Sequence, residues 1–480
     1  MKTIIPDAYQ SGYHDRKNGK FVDNFQSGIK ILPFVSGVTT VLDKQCPLQG
    51  VSGEFFRLSA QDNTHPIKNL EKEIEETIVP YLRDEMKMEK AEIDLFSDIL
   101  RDVLYISGNL NITDSTFLKY VPLMPASENT IPKEQAKREA GQRKAARYLY
   151  DMAGCSCPCL SDENQDLFSQ ILHDAFADRK QIEDSPTAEA GYTILPYIRK
   201  SFIKDLEWML LQADSIKVRY LHLFFHFYLC YSVTQTIVSL SAKKTDPLTD
   251  PEVFYFILSS ERVPVKHEAV EKGWPNKVRK GLLDKLYGHA QALDIANCIL
   301  GGNVGFYPDV LSALQETPFE ENKEALEDLL KQYYKEKLAR LSIRKTEKNY
   351  QEISRSEDEL EIDSYKDFLL KLEDLCADLQ STSYISRMRK KIIDLMTMRF
   401  LKRGRGVLVL SLDDEMFLFL TAMLTRGNKT KLEEVYTRFL KYGMAFNRET
   451  RAAMEQYLLK LNLLDRKSDA GEAQYVHIKL

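Results

Sequence analysis

The sequence predicts a mainly α-helical, multidomain protein with a small β-containing region at its N-terminus. Apolar residues recur at helical spacing over most of the chain after residue 66. Stretches rich in β-branched and aromatic residues stand out near the two ends of the chain. The length of 480 residues exceeds one ordinary hydrophobic core, so about two to four domains are expected.

The composition is that of a soluble globular protein. Hydrophobic residues make up 44% and charged residues 29% of the chain, which excludes a disordered or fibrous protein. The first twenty residues lack the apolar core of a signal peptide, so we expect a cytoplasmic protein. Seven cysteines, an odd number spread over a long chain, favour reduced thiols over a disulfide framework.

The charge is unevenly distributed. From Arg387 to Leu480 there are 19 Lys and Arg against 11 Asp and Glu, a net charge of +8. The whole chain carries −5, so the remaining residues carry −13. This asymmetry predicts an acidic body with a basic end that is able to bind anions.

Residues 1–125 are predicted to form the N-terminal domain. IKILPFVSGVTTVL and GEFFRL are rich in strand-forming residues and are broken by Pro33, Gly37 and Gly53, so short strands are expected before residue 60. Helices follow from about residue 66, the first with an apolar face formed by Leu70, Ile74, Ile78 and Leu82. The role of residues 1–60 stays open.

Residues 126–318 are predicted to form a central helical domain, with helices alternating with short loops from 247 to 317. Pro132 suits the first position of a helix. That helix carries six basic residues, which form either a solvated face or a second anion-binding surface: Lys133, Lys137, Arg138, Arg143, Lys144 and Arg147.

Two groups in this domain resemble metal ligands. Cys155, Cys157 and Cys159 offer thiolates, but their spacing differs from that of common zinc knuckles, so a small locally packed loop is the alternative. The uncharged stretch 220–240 is long enough for a membrane span, but its polar content favours a central buried helix. His222, His226 and Cys230 lie on one face of that helix, as metal ligands or as buried core side chains.

Residues 319–404 are predicted to form a long-helix or helical-hairpin region that ends in a basic segment. Arg389, Lys390, Arg403 and Arg405 belong to this segment, which runs into a flexible Gly-Arg-Gly joint. Its cations contact either DNA phosphates or the acidic body.

Residues 405–480 are predicted to form a winged helix-turn-helix domain. Helices are expected to begin after Asp413, Thr430 and Asn447, with Thr430 and Glu433 forming a capping box and Gly443 ending the second helix. Asp469-Ala-Gly471 provides the turn of a C-terminal hairpin.

Such a domain binds DNA with its third helix and its wing, and in other proteins it docks a protein partner. We expect six of its cations to contact DNA: Arg448 and Arg451 on the third helix, Arg466 and Lys467 on the wing, and Lys429 and Lys431 at the start of the second helix. The modest positive charge leaves protein docking as the alternative.

Catalytic motifs are missing from the sequence. There is no GxxxxGK[ST] phosphate loop, no GxGxxG and no HExxH pattern, and His477-Ile-Lys479 is only half of an HxK nuclease motif. We therefore expect a protein without catalytic residues or a cofactor.

The aromatic stretch LHLFFHFYLCYSVTQTIVSL, the winged-helix-like C-terminal run and the closing SDAGEAQYVHIKL resemble the G subunit of Dnd/Dpt DNA phosphorothioation-dependent restriction systems. The resemblance covers the central helix and the last seventy residues well, but it covers the N-terminal third poorly. It implies one of three restriction components of a bacterial antiviral defence system that acts on DNA lacking phosphorothioate. ATP hydrolysis is associated with partner subunits, and the family provides no catalytic residues to carry over.

The sequence thus leads to three hypotheses. The first is a cytoplasmic, non-catalytic subunit of a restriction complex that binds double-stranded DNA and scaffolds an ATPase subunit, without contacting a membrane. The second is a pure protein-interaction scaffold whose winged helix docks a partner. The third is a nuclease with a metal at His222, His226 and Cys230.

Overall fold

The computed structural model describes residues 4–9, 30–33, 42–43, 48–60, 66–67, 69–106, 109–110, 115–123, 131–154, 167–177, 191–241, 249–262, 267–278, 281–302, 304–343, 357–380, 382–404, 406–466 and 474–480. These residues are mostly helical with a few short strands, which confirms the mainly α prediction.

The first half of the chain is built from helices around one hydrophobic core. Its helices are α1 (Leu48–Ala60), α2 (Leu70–Glu73), α3 (Val79–Asp84), α4 (Lys90–Leu104), α5 (Pro132–Ala153), α6 (Leu167–Ala177), α7 (Pro196–Leu210) and α8 (Asp214–Ser241). A π-turn at Ile74–Ile78 joins α2 to α3, and 3-10 turns form at Pro6–Tyr9 and Ser115–Tyr120. Strands β1 (Tyr105–Ile106) and β2 (Asn109–Leu110) pair antiparallel.

The prediction of a strand at GEFFRL was wrong, because these residues lie inside α1. Leu48, Val51 and Phe55 recur at helical spacing and are buried. Gly53 serves a close approach between segments, since a Cβ there would lie 2.7 Å from the carbonyl oxygens of Leu118 and Val121. Lys30 forms an isolated parallel bridge with Tyr192, whereas residues 34–41 of the other predicted strand region lie outside the described residues.

Helix α8 is the predicted central buried helix. It is the one helix of the described chain long and apolar enough to cross a membrane, and 89% of its apolar window is buried inside the protein. Phe224, Phe225 and Tyr228 contact Phe202 of α7 through their rings. Aromatic packing of this kind is typical of a core helix.

The second half of the chain continues the helical body and adds a C-terminal region. Its helices are α9 (Glu268–Glu271), α10 (Trp274–Lys277), α11 (Leu282–Cys298), α12 (Tyr307–Leu314), α13 (Phe319–Ile343), α14 (Tyr365–Asp378), α15 (Thr382–Met396), α16 (Asp414–Thr425), α17 (Leu432–Leu440) and α18 (Arg448–Lys460). A 3-10 turn at Glu357–Leu360 lies between α13 and α14.

A four-stranded sheet joins the middle of the chain to its C-terminal region. Its strands are β3 (Phe254–Leu258), β4 (Leu401–Gly404), β5 (Val407–Leu412) and β7 (Met444–Phe446). The strand order is β4-β5-β3-β7, with β3 parallel to both β5 and β7 and with β4 antiparallel to β5.

This sheet changes the predicted organisation in two ways. Helices and loops were expected from 247 to 317, but residues 254–258 (FYFIL) form a buried strand. This apolar run is short, and its periodicity does not distinguish a strand from a buried helix. The boundary predicted between 404 and 405 directly follows β4, whose last residue Gly404 pairs with Val407 of β5. The two sides of this predicted boundary are thus paired in one sheet, and β3 connects the C-terminal region to the body.

A second, three-stranded sheet completes the C-terminal region. Strands β6 (Thr430–Lys431), β8 (Leu464–Arg466) and β9 (Gln474–Val476) pair antiparallel in the order β6-β9-β8. From β5 onward the chain thus contains the predicted strand, three helices and C-terminal hairpin, with β6 and β7 as two further short strands.

The predicted helix caps of this region are partly confirmed. Asp413 and Asn447 accept hydrogen bonds from the backbone N–H of Met416 and Thr450, as N-caps do. The Thr430 capping box was wrong, because Thr430 belongs to β6 and its hydroxyl donates to the Asn428 carbonyl oxygen. Lys431 takes the N-cap position of α17 instead.

Candidate nucleic-acid interface

Helix α18 presents two of the predicted DNA-contacting residues to solvent. Arg448 and Arg451 are exposed, whereas Met454 and Leu458 on the opposite face are fully buried. Arg448 makes no ion pair within the described residues. It is therefore an available cation at the first position of the helix.

Arg451 is held in place by its neighbours. Its Nε donates to the Phe446 carbonyl oxygen at 3.2 Å, and its guanidinium lies 4.6 Å from the ring centre of Tyr436. Its Nη1 is 3.5 Å from Glu433 Oε2. Arg451 thus links α18 to α17, so truncating it would disturb packing as well as charge.

The cations at the start of α17 lie beside the three-stranded sheet. Lys431 is exposed and has no ion pair among the described residues. Lys429 forms an exposed ion pair with Asp465 of β8, and its Nζ lies 5.7 Å from the ring centre of Tyr475 of β9. Because Glu433 of α17 reaches Arg451, the beginning of α17 and the outer face of α18 are adjacent.

Three of the predicted residues cannot be placed as side chains. Arg405 and Lys467 lie outside the described residues, as does the side chain of Arg466, whose backbone belongs to β8. Their contact with DNA stays a prediction.

The residues predicted in the preceding basic segment lie elsewhere. Arg389 and Lys390 of α15 form ion pairs with Asp284 and Asp394. Arg403 is exposed on β4, without an ion pair in the described part of the chain. Because β4 is three strands from β7, which leads into α18, Arg403 is about 14 Å from that end of the sheet.

Two other cations of this segment have structural partners. Arg399 Nη1 is 2.7 Å from Asp413 Oδ2, and its Nη2 is 3.0 Å from Glu415 Oε2, at the start of α16. Lys402 Nζ donates to the Glu261 carbonyl oxygen at 3.0 Å. At these two positions, the positive charge that precedes β5 therefore stabilises the fold.

The start of α18 is fixed to the body by residues that the sequence did not single out. The amide of Asn447, which caps α18, lies 3.0 Å from His267 Nε2. Thr450 Oγ1 donates to Glu261 Oε2 at 3.1 Å. No local sequence pattern marks His267 or Glu261, because their partners Asn447 and Thr450 are 180 and 189 residues away along the chain.

A buried carboxylate secures the other side of the region. Asp205 of α7 is 1% exposed, and its Oδ2 accepts hydrogen bonds from the hydroxyls of Tyr228 and Tyr442, each at 2.5 Å. Its Oδ1 pairs with Arg426, whose guanidinium lies 5.3 Å from the ring centre of Trp208. Burial raises the pKa of Tyr228 well above its ordinary value, and the Asp205 charge adds to this.

The spacing in α8 allowed either metal ligands or buried core side chains at His222, His226 and Cys230, and the structure places His226 and Cys230 in the core. No three His, Cys, Asp or Glu side chains of the described residues are placed to hold a metal ion. His226 packs edge to face on Phe400, with ring centres 5.5 Å apart, and Cys230 lines an apolar cavity. Burial, reinforced by the positive charge of Arg399, lowers the pKa of His222 to about 4 and that of His226 to about 3.

The other cysteine cluster lies outside the described residues. Cys155, Cys157 and Cys159 belong to the undescribed range 155–166. A metal at this cluster stays a prediction.

No protein-family model matches the chain, and a comparison with curated proteins finds no match.

Proposed function

We propose that the C-terminal region is a winged helix-turn-helix that binds double-stranded DNA. Its elements follow the order helix, strand, helix, strand, helix, strand, strand, in α16, β6, α17, β7, α18, β8 and β9, of which β7 pairs with β3 in the four-stranded sheet. The strand after the first helix pairs with the last strand, in the order β6-β9-β8. This order is the observation that carries the proposal, because it presents the third helix and a hairpin as two contact elements for a duplex.

The electrostatics of the region suit contact with phosphates. Arg448 and Lys431 are exposed cations without an ion pair in the described chain, on adjacent elements. Lys429 and Arg451 are in exposed ion pairs, which contribute only about 0–1 kcal/mol each. Phosphate oxygens can therefore replace Asp465 and Glu433 at little cost.

The test uses the full chain, because an isolated 405–480 fragment would lose the β3 partner of both β5 and β7. We expect Arg448→Ala with Lys431→Ala to lower the slope of log K against log salt by about 2 for duplex DNA. The matched control is Lys323→Ala with Lys335→Ala on α13, which removes the same charge far from α18 along the chain. Equal affinities for both double variants would refute the assignment of this surface.

Protein docking is the second candidate for the same region. Leu440 and Leu461 are 47% and 41% exposed at the C-terminal ends of α17 and α18, and the same two helices carry the exposed carboxylates of Glu434 and Glu449. A folded full chain that fails to bind duplex DNA at low salt, but binds a partner subunit through Leu440 and Leu461, would favour this function.

The wider proposal is a non-catalytic, cytoplasmic subunit of a phosphorothioation-dependent restriction complex. The resemblance in the sequence supports it, as does the acidic body, which offers a surface for an ATPase partner. Co-purification with the products of neighbouring genes is the test. A defence ATPase in the complex would support the proposal, and a different set of partners would replace it.

A further inference from the structure

Helices α2, α3 and α4 form an antiparallel hairpin on the body. Glu71 at the start of α2 pairs with Arg101 near the end of α4 at 3.0 Å, and the Met88 N–H donates to the Leu82 carbonyl oxygen in the turn between α3 and α4. The inner side of the hairpin belongs to the core, because Leu82 and Ile93 are buried. The outer side is therefore the one that a partner can reach.

The outer side of α4 carries a pair of exposed apolar side chains. Leu95 is 63% exposed and Ile99 is 42% exposed. The two are four residues apart, so they are neighbours on one face of the helix. Within the described residues, they are the one pair of exposed large apolar side chains that shares a helix face. Single exposed apolar residues are normal on a protein surface, whereas a pair at this spacing is the pattern that helix-to-helix contacts use.

The surroundings of this pair are acidic. Residues 70–101 contain ten Asp and Glu against five Lys and Arg. Glu92 and Asp98 lie three residues before and three residues after Leu95, so helical spacing places an exposed carboxylate on each side of it. The apolar pair thus has an acidic rim.

Four further carboxylates of the hairpin are exposed and make no ion pair within the described residues: Glu75, Glu85, Glu89 and Asp94. The described part of the chain therefore does not compensate their charge. A partner that carries cations beside an apolar stripe would match both the pair and its rim.

The same charges disfavour two other occupants. In a two-fold symmetric dimer, this surface would meet itself and bring Glu92 and Asp98 of one copy beside the same residues of the other. Like charges at that distance repel each other. An anionic lipid surface would be repelled for the same reason.

We propose that the outer face of α4 docks a basic amphipathic helix of a partner protein. Leu95 and Ile99 contact the apolar stripe of that helix, and the surrounding carboxylates pair with its lysines and arginines. The inference rests on the wider proposal of a subunit in a protein complex, for which it names a docking surface and the chemistry of the partner. It does not depend on DNA binding by the C-terminal region.

The test measures the binding of a synthetic helix to the full chain by fluorescence anisotropy. The probe is a labelled peptide of about 18 residues, with Leu at i, i+3, i+4 and i+7 spacing and Lys at its other positions. Leu95→Gln with Ile99→Gln should weaken its binding at least about tenfold, because the burial of two apolar side chains is lost. Leu440→Gln with Leu461→Gln is the matched control, since it replaces two exposed leucines elsewhere and should leave the affinity unchanged.

A second pair of variants tests the charges. Glu89→Gln with Asp94→Asn removes two carboxylates that make no ion pair in the described chain, so the fold should be retained. We expect weaker binding of the peptide and a smaller dependence of its affinity on salt. The control is Glu321→Gln with Glu324→Gln, which neutralises two exposed carboxylates of α13. Equal affinities for these two double variants would overturn the choice of a basic partner.

Other occupants give distinct results. If the variant Leu95→Gln with Ile99→Gln binds the peptide as tightly as the unmodified chain does, the surface is not a docking site. A dimer in sedimentation velocity that this variant abolishes would assign the surface to a second copy of the chain. Flotation with phosphatidylglycerol vesicles that this variant abolishes would assign it to lipid. Either result would replace the proposal.

The outcome is separable from that of the proposed function. Leu95→Gln with Ile99→Gln should bind duplex DNA as the unmodified chain does, because the substitutions leave Arg448 and Lys431 in place. Failure of the peptide test would remove this docking surface and leave DNA binding standing. Purification without any partner subunit would instead count against the wider proposal.

Discussion

The Asp205 carboxylate should be a major determinant of how the C-terminal region is held on the body. Asp205→Ala removes the acceptor of two tyrosine hydroxyls, on Tyr228 and Tyr442, and the ion-pair partner of Arg426. Each buried hydroxyl left without an acceptor costs about 1–3 kcal/mol. Arg426 is 25% exposed, so water compensates part of its loss. We expect the free energy of unfolding to fall by about 4 kcal/mol.

Urea denaturation of the full chain measures this change. The fluorescence of Trp208, whose ring lies 5.3 Å from the Arg426 guanidinium, reports on this junction. The matched background is Tyr228→Phe with Tyr442→Phe, in which no hydroxyl is left unpaired when Asp205 is removed. Asp205→Ala should then cost about half as much. An equal cost in both backgrounds, or a loss below about 1 kcal/mol, would refute the reasoning.

Two further predictions concern buried groups. The folded pKa values of His222 and His226, about 4 and about 3, lie below the unfolded value, so their stabilisation is complete above about pH 6.5 and is lost as the pH falls towards 4. Stability at pH 5.5 should be lower by roughly 1.4 kcal/mol per histidine, and His222→Gln with His226→Leu should flatten the pH profile from chemical denaturation. Gly443→Ala should lower the melting temperature more than Gly406→Ala. Both glycines have positive φ, but a Cβ at 443 would lie 2.4 Å from the Glu252 carbonyl oxygen, whereas the one at 406 meets open space.

Helical segments with a clear apolar face could be predicted from the sequence. Ile74, Ile78 and Leu82 are buried as their spacing indicated, and Asp413 and Asn447 cap the helices that they precede. These features depend on neighbours within one or two turns, so the local sequence contains the information that specifies them.

Short apolar runs were harder to interpret. FYFIL is a strand and GEFFRL is helical, although both are apolar and aromatic. Their state depends on partners that are distant in sequence. For β3 these are β5 and β7, and for α1 they are the backbone atoms of Leu118 and Val121.

The candidate interface could be predicted only in part. The exposure of Arg448 and Lys431 follows from their positions at the starts of α18 and α17. The pair of Lys390 with Asp394 is an i,i+4 pair within α15, but the carboxylate partners of Arg389 and Arg399 lie on other elements and depend on the final arrangement of the helices and the sheet. A count of charges along the chain therefore overstated the available positive charge.

The sequence by itself determined the mainly helical class, the buried central helix, and the three helices and final pair of strands after β5, because apolar period and capping are local properties. Only the tertiary structure decided that β3 joins the body to the C-terminal region, and that Asp205 holds Arg426 and Tyr442. Each of these depends on pairs separated by about 150 to 240 residues, and local sequence carries no signal for such pairs.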